Sequence, residues 1–262
     1  AVAASTAMIA QLLGSPAFDT TATRSLTAIG LGGSGVTRRV VDLIEETRPN
    51  AMPGIGYGLT ESNGVGTISA GAIFRHKPTS SGVRVPIMEI CTIDAEGRPL
   101  PQGATGEICL KGAVVMSGYW RDAEATARVL RDGWFATGDV GYVDEEGFLF
   151  VVDRIKDIVN RGGEKISTAE VESCVSRLPE VAEVAGFALP DADFGEVLAL
   201  AIRLQPGTSL DENAVRAHVA EHMAAFKVPA RIMFFDTDLP RNPSGKLLRR
   251  TLREQVERGD KA

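Results

Sequence analysis

The sequence lacks the features that would place it in or across a membrane. Its 262 residues contain no apolar run close to the roughly 20 residues that cross a bilayer as a helix. The first ten residues, A-V-A-A-S-T-A-M-I-A, also lack the basic segment that opens a secretory signal peptide. We therefore expect a protein without a transmembrane segment, located in the cytoplasm.

Cysteine and net positive charge are also scarce. The three cysteines, Cys91, Cys109 and Cys174, are widely spaced and match no metal-ligand pattern, which favours reduced thiols. The net charge of −6 and the pI near 5.3 argue against a nucleic-acid partner. A small anionic ligand is still compatible, because it needs only local positive potential. The sequence does not specify an oligomeric state.

The first part of the chain indicates α/β structure. Apolar spacing predicts a helix over 1–13, a short buried strand over 26–31 and a second helix over 36–46. The glycine-rich turn G-G-S-G (32–35) joins the strand to the second helix. Such a strand, turn and helix form a parallel α/β unit, which binds ligands at the carboxyl ends of its strands. No Gly-Lys-Ser/Thr follows the glycines, so this is not a Walker-type phosphate loop.

The predicted secondary structure changes twice further along the chain. Short alternating runs separated by turn signals predict antiparallel strands over 83–93, 106–111 and 148–152, with a short helix over 122–130. Beyond these, an α+β pattern predicts strands over 181–189, 197–204 and 230–235. It also predicts helices from Ser167 to about residue 178, from Ser209 through residue 223, and over 247–256, the first two opened by capping boxes.

These patterns together predict two domains. Residues 1–153 are expected to form the first domain, with α/β structure over 1–77 and a β-rich, barrel-like region over 78–153. Residues 154–262 are expected to form a small α+β domain. We therefore predict an α/β plus β-barrel fold followed by a small α+β domain.

Two short motifs carry residues suited to nucleotide chemistry. In G-I-G-Y-G-L-T-E (54–61), the glycines let the backbone approach a flat ligand, and Tyr57 can stack on a base. Thr60 can donate to a phosphate oxygen, and Glu61 can ligate a divalent cation. In W-F-A-T-G-D (134–139), the carboxylate of residue 139 suits a vicinal diol. Each motif also has an ordinary structural interpretation. The first can be a glycine-rich turn with a helix-capping threonine, and the second can be an Asx-turn.

Two other features have ordinary interpretations when taken alone. The stretch D-R-I-K-D-I-V-N-R-G-G-E-K (153–165) is dense in charge of both signs, which is typical of a solvated hairpin loop. His218 and His222 have the four-residue spacing of a two-histidine metal face. No suitably placed glutamate and no third ligand accompany them in the sequence, which favours a surface or half-buried pair.

Five motifs follow one another along the chain: Y-G-L-T-E (57–61), G-E-I-C-L-K-G with M-S-G-Y (106–119), W-F-A-T-G-D (134–139), D-R-I-K-D with G-G-E (153–164) and P-R-N-P-S-G-K (240–246). Taken in order, they resemble those of the adenylate-forming superfamily of acyl-CoA synthetases, luciferases and peptide-synthetase adenylation domains. Chance matches would not keep the family's order, so five together are specific. Within the superfamily, the chain is most similar to acyl-CoA synthetases and fatty-acid–CoA ligases.

The resemblance implies a nucleotide site. The adenine would lie beside Gly33, Ser34, Gly35, Gly56, Tyr57 and Gly58, although Gly35 departs from the proline of the family's Gly-Ala-Pro. Thr60 would bind the α-phosphate of ATP, and Glu61 would ligate Mg²⁺. Asp139 would hold the ribose hydroxyls, with Arg154 beside it.

The resemblance also implies roles in the small domain. Lys156 would be the hinge about which this domain rotates, Gly162 and Gly163 would line the pantetheine channel for CoA, and Lys246 would be the adenylation lysine. The catalytic residues would therefore be Lys246, Thr60 and Glu61.

One element of the family is missing from the sequence. The chain contains no Ser/Thr- and Gly-rich loop ending in Pro-Lys-Gly. The resemblance therefore implies that residues 1–153 are the carboxyl-terminal part of the large AMP-binding domain, with a β-barrel remnant over 78–153, and that residues 154–262 are the small mobile domain. We expect the carboxyl-terminal half of an ATP-dependent acyl-CoA synthetase that acts on a small-molecule carboxylate and is inactive as this piece alone.

Four alternatives remain open from the sequence, one of which is oxidative light emission by a luciferase relative, which the motifs do not distinguish. An acyl-AMP ligase would be expected to carry an insertion between residues 61 and 137, where no extra block occurs. An adenylation domain that loads a carrier protein should be followed by that carrier, whereas this chain stops soon after residue 246. The alternative of another class is a non-catalytic partner-binding fragment.

Overall fold

The computed structural model describes residues 1–18, 21–33, 35–242 and 247–257. The backbone divides into two compact units, Ala1–Val151 and Val152–Ala262. The predicted domain boundary lies two residues later, after residue 153. Within the described ranges, no helix combines the length and the apolar character needed to cross a membrane.

A mixed sheet with helices forms the first half of the unit Ala1–Val151. Its strands, in spatial as well as chain order, are β1 (Val2–Ser5), β2 (Ala28–Gly32), β3 (Met52–Tyr57), β4 (Thr67–Ala70) and β5 (Val83–Arg84). The first three strands are parallel, and the other two are added antiparallel. The helices are α1 (Thr6–Leu13), α2 (Arg38–Thr47) and α3 (Ala72–His76). Apolar side chains of α1, α2 and the parallel strands share one core, which includes Ile9, Ile29, Leu31, Val41 and Ile44.

The predicted helix over 1–13 was wrong at its beginning. Residues 2–5 are strand β1, paired in parallel with β2 through Val2 and Ile29. The helix begins at Thr6, and the side chain of Ser5 caps it by accepting from the amide of Met8 at 3.3 Å. The partner strand of residues 2–5 lies more than 20 residues away in the chain, so local apolar spacing could not reveal it.

A curled half-barrel sheet forms the second half of this unit. Its strands are β6 (Met88–Ile93), β7 (Gly106–Gly112), β8 (Leu130–Arg131), β9 (Trp134–Val143) and β10 (Leu149–Arg154). The spatial order is β10-β9-β7-β6, and β8 pairs with β9. Helix α4 (Ala123–Val129) precedes β8. The buried core of this sheet consists of Met88, Ile108, Leu110, Phe135 and Leu149.

The unit Val152–Ala262 is a sheet with helices on two faces. Its strands are β11 (Val159–Arg161), β12 (Glu164–Ile166), β13 (Val181–Asp191), β14 (Gly195–Leu204) and β15 (Arg231–Phe235), and its helices are α5 (Thr168–Val175), α6 (Glu212–His222) and α7 (Arg249–Glu257). The spatial order is β12-β11-β14-β13, and β15 pairs in parallel with β14.

The central strand β14 explains why this unit has two cores. Residues 197–202 are all buried, and side chains alternate between the faces of a strand. Leu198, Leu200 and Ile202 join the core that contains Val171 and Val219, from α5 and α6. Ala199 and Ala201 instead join a second core with Leu252 of α7. The observed folds of both units confirm the predicted fold class.

Helix starts in the second unit follow their capping residues. Ser167 caps α5 as predicted, and its hydroxyl accepts from the amide of Glu170 at 3.2 Å. The predicted cap at Ser209 was wrong, because Asp211 caps α6 by accepting from the amide of Ala214 at 2.7 Å. Aspartate and serine cap with similar strength, so the sequence alone did not distinguish these positions.

Candidate active site

The carboxyl ends of the parallel strands meet at one edge of the first sheet. The pairing of Leu31 with Ile55 brings the end of β2 beside the end of β3. Gly33, which follows β2, therefore lies at the same edge of the sheet as Gly56 and Tyr57, which end β3. Gly33 has a positive φ of 74°. Gly35 is described close by in sequence, whereas Ser34 lies outside the described residues. Ligands of parallel α/β sheets bind at this kind of edge.

A compact turn directly after β3 positions Thr60 and Glu61. These residues open a single 3-10 turn, Thr60–Ser62, which ends at Asn63 in the left-handed conformation. Gly58 makes the turn possible, because a Cβ at this position would lie 2.3 Å from the carbonyl carbon of Gly64. The backbone oxygen of Glu61 accepts from the amide of Met116 at 2.7 Å. The turn is thereby tied to the loop that carries the M-S-G-Y motif.

Two sequence-predicted residues meet although they lie 82 positions apart. The Tyr57 hydroxyl donates to Asp139 Oδ2 at 2.7 Å. Asp139 is only 4 % exposed, whereas Tyr57 is half-buried. A carboxylate has about four lone-pair positions, so Asp139 can accept from a diol as well as from Tyr57. This bond places an aromatic ring and a buried carboxylate side by side at the strand ends.

The T-G-D turn holds the carboxylate of Asp139 in place. Gly138 has a φ of 72°, a conformation that glycine adopts without strain. Its amide donates to Glu107 Oε1 at 2.9 Å. The Thr137 hydroxyl donates to the carbonyl of Ile108 at 2.8 Å and accepts from the amide of Asp139 at 3.1 Å. The Thr137 hydroxyl and the amides of Gly138 and Asp139 are thus all hydrogen-bonded, and two of these bonds tie the turn to β7.

Tyr119 is a candidate site residue that the sequence-based predictions do not include. Its hydroxyl donates to Glu61 Oε1 at 2.9 Å. Burial and the hydrogen bond to the Glu61 carboxylate raise the pKa of Tyr119, so it remains a donor at neutral pH. The sequence feature that could have identified Tyr119 is its place as the last residue of the motif over 106–119. Tyr119 therefore orients Glu61, the carboxylate that is predicted to ligate the metal.

The donor set around Glu61 fits Mg²⁺ when a phosphate is also bound. Protein sites for Mg²⁺ commonly supply one or two carboxylates and leave the remaining positions to substrate phosphates and water. Glu61 supplies one such carboxylate, and the exposed Thr60 hydroxyl is next to it in the same turn. The residues present therefore suit an ion that arrives with a nucleotide.

The remaining predicted residues belong to the second unit. Arg154 ends β10, and the exposed Lys156 lies in a 3-10 turn, Ile155–Asp157. Gly162 and Gly163, with φ of 58° and 97°, form the turn of the hairpin between β11 and β12. In the charged stretch over 153–165, the predicted hairpin therefore corresponds to strands β11 and β12, residues 159–166. Lys246 lies outside the described residues.

Two family models match the chain, one over its first part and one over its second part. The model for the AMP-binding enzyme covers residues 1–120, and that for the AMP-binding enzyme C-terminal domain covers residues 170–246. The 2-succinylbenzoate–CoA ligase of Geobacillus kaustophilus is 40 % identical over 227 residues, which are 86 % of this chain and 45 % of that protein. The 4-coumarate–CoA ligase 1 of Glycine max is 34 % identical over 88 % of this chain and 81 % of that sequence.

A solved structure agrees with these matches. The ATP-bound crystal structure of MatB from Rhodopseudomonas palustris has a TM-score of 0.89 and 31 % identity, covering 97 % of this chain and 50 % of that one. The chain thus spans about half the length of most of the proteins that it matches. Two family models in sequence, a relative matched over most of its length and the shared fold lead to one conclusion: the chain belongs to the adenylate-forming superfamily of AMP-binding enzymes.

Proposed function

We propose that this chain is the carboxyl-terminal half of an ATP-dependent acyl-CoA synthetase, an acid–thiol ligase. In the proposed reaction, a small-molecule carboxylate attacks the α-phosphate of ATP and releases pyrophosphate. The thiol of CoA then attacks the acyl-adenylate and releases AMP. The relatives named above are CoA ligases, and a neighbouring structure contains ATP, which supports these reactants.

The observation that carries the proposal is the hydrogen bond between Tyr57 and Asp139. It joins two separate motifs where the parallel strands β2 and β3 end, and sheets with parallel strands commonly bind ligands at such an edge. In the proposed complex, the tyrosine ring lies against the adenine, beside the backbone of Gly33, Gly35, Gly56 and Gly58. The Asp139 carboxylate accepts hydrogen bonds from the ribose hydroxyls, and Arg154 completes this contact.

Charge stabilisation at phosphorus is the proposed task of three residues. Thr60 donates its hydroxyl to the α-phosphate, and Glu61, oriented by Tyr119, holds Mg²⁺. The bound ion would neutralise the negative charge that develops on the phosphate oxygens. Lys246 is proposed to donate to the same oxygens during adenylation. Donors that are already oriented act most strongly, because they need no reorganisation in the transition state.

The second half-reaction is proposed to use the second unit. Lys156 would be the hinge, and the Gly162–Gly163 turn would border the pantetheine arm of CoA. The chain contains no phosphate loop of the family type, so we propose that it does not catalyse adenylation by itself. An acyl-AMP ligase or a carrier-loading adenylation domain would use the same nucleotide site with a different acceptor. A non-catalytic partner-binding fragment would need no nucleotide site.

The nucleotide site is tested by comparing two ligands on the 262-residue chain. We expect AMP to bind more tightly than 2′,3′-dideoxy-AMP, since only AMP has the ribose hydroxyls. Asp139→Asn should weaken AMP binding by about tenfold or more, the effect of hydrogen bonds to a charged group, and should leave the dideoxy ligand unaffected. Isothermal titration measures both affinities. Equal binding of the two ligands by the parent chain would contradict the proposal.

A further inference from the structure

Three potential metal ligands converge in the second unit. They are Cys174 on α5 and His218 and His222 on α6. Among the described residues, this is the one group of at least three histidine, cysteine or acidic side chains whose ligand atoms meet the geometry of a metal site. The Cys174 sulfur and one ring nitrogen from each histidine all lie within 4.8 Å of one another. None of the three has a role in the proposed ligase chemistry.

The two histidines are half-buried and exposed, as the sequence predicted, but the structure adds a third potential ligand beside them. The sequence showed no third ligand beside them, because Cys174 precedes His218 by 44 positions. Packing of the two helices brings the cysteine to the histidines. Buried Val171 and Val175 of α5 share a core with Val219 of α6, so the helices that carry the ligands are held together independently of any ion.

Backbone carbonyls orient both histidine rings. His218 Nε2 lies 3.2 Å from the carbonyl oxygen of Cys174, and His222 Nδ1 lies 2.8 Å from that of His218. A carbonyl only accepts hydrogen bonds, so each of these nitrogens carries a proton. The other nitrogen of each neutral ring then has a lone pair. Histidines that bind metals are commonly oriented by such a hydrogen bond from the second ring nitrogen.

The ligand types select the class of metal. One thiolate and two imidazoles suit Zn²⁺, whereas Mg²⁺ and Ca²⁺ require oxygen ligands. Bond lengths of about 2.0 and 2.3 Å in a tetrahedral site place ligand atoms about 3.5 Å apart, so small side-chain movements would complete the site. His222 is exposed and His218 half-buried, which leaves a route for the ion and a position for water.

We propose that Cys174, His218 and His222 form a zinc site that ties α5 to α6. The site has three protein ligands and an open fourth position. Because the ion would bind the folded unit and bridge two of its helices, it would stabilise that unit against unfolding. Because the thiolate is the form that binds zinc, binding would release the proton of the Cys174 thiol into solution.

Cobalt titration of the metal-free 262-residue chain tests the site. Co²⁺ substitutes for Zn²⁺ and, when bound to a thiolate, gives a sulfur-to-metal charge-transfer band in the near ultraviolet. We expect this band to saturate at one equivalent of Co²⁺ and to disappear when Zn²⁺ is added. Cys174→Ser should abolish the band, and His222→Gln should weaken Co²⁺ binding at least tenfold.

Matched variants elsewhere in the chain serve as controls. Cys91→Ser and His76→Gln change the same residue types in the first unit and should leave the titration unchanged. His222 is exposed, so His222→Gln should retain the parent circular dichroism spectrum even if Cys174→Ser perturbs the fold. The proposal is overturned if the parent chain gives no band, if the band persists in Cys174→Ser, or if His222→Gln binds Co²⁺ as the parent does.

Discussion

At the scale of single residues, close packing and backbone conformation explain which glycines the site needs. A Cβ added to Gly58 would lie 2.3 Å from the carbonyl carbon of Gly64, and Gly138 has a positive φ. Gly32, by contrast, has nothing within 4 Å of an added Cβ. Three glycines that look equivalent in the sequence therefore differ in what a side chain would do.

Gly58→Ala should destabilise the first unit by about 1–3 kcal/mol, because the clash is with backbone and cannot be relieved by a rotamer change. Both tryptophans, Trp120 and Trp134, lie in this unit, so their fluorescence during urea unfolding reports on it selectively. The matched variant Gly32→Ala should leave the unfolding midpoint unchanged or raise it slightly. Equal midpoints for the two variants would show that the turn after β3 tolerates a side chain.

At the scale of elements, an ion pair attaches α7 to the second unit. Arg249 donates to Glu172 Oε1 on α5 at 2.7 Å and to the carbonyl of Gly186 on β13 at 3.0 Å. The same carboxylate oxygen accepts from the Gly186 amide at 2.7 Å. The two charged side chains are 26 % and 19 % exposed. Burial raises the pKa of Glu172, and the Arg249 charge opposes this effect.

Arg249→Met should lower the stability of the second unit by about 2 kcal/mol, because it leaves a mostly buried carboxylate without its cation. Without the cation, the pKa of Glu172 rises further. The folded state then binds the proton more tightly than the unfolded state, so stability should fall as the pH rises above the ordinary glutamate value of about 4.3. Urea unfolding followed by far-ultraviolet circular dichroism at several pH values measures both effects.

Two further variants test the cause of that loss. Glu172→Gln in the Arg249→Met background should recover part of the stability and remove the pH dependence, because the amide oxygen still accepts from Gly186 without a charge. Arg250→Met is the matched control, since Arg250 is 90 % exposed and pairs with Glu254 along the helix surface. A loss in Arg250→Met as large as that in Arg249→Met would rule out the buried pair as the cause.

At the scale of the whole molecule, the division between the units lies close to the proposed hinge. The chain divides between Val151 and Val152. The Asp153 carboxylate accepts from the hydroxyls of Ser167 and Thr168 at 2.9 and 3.2 Å, so this residue is fixed to the start of α5. Lys156 follows in an exposed 3-10 turn. Hinges are commonly a few such residues, whose φ and ψ angles change between two packed states.

Lys156→Pro in an intact synthetase containing this chain should therefore affect the two half-reactions unequally. Proline fixes φ near −65° and removes the amide hydrogen. We expect pyrophosphate release to survive and acyl-CoA formation from supplied acyl-adenylate to be lost, because the proposed rotation follows adenylation. Lys156→Ala, which leaves φ free, is the control and should support both steps. Acyl-CoA formation by Lys156→Pro at the parent rate would place the hinge at another residue.

The sequence by itself determined the family and the fold class. Five motifs in order identified the superfamily, and hydrophobic periodicity predicted α/β, β-rich and α+β regions, since both signals are local or depend only on order. Tertiary structure alone decided that residues 2–5 form a strand, that Tyr119 orients Glu61, and that Cys174 meets His218 and His222. Each of these depends on residues brought together across more than 20 positions, and a one-dimensional pattern does not contain the packing that selects such pairs.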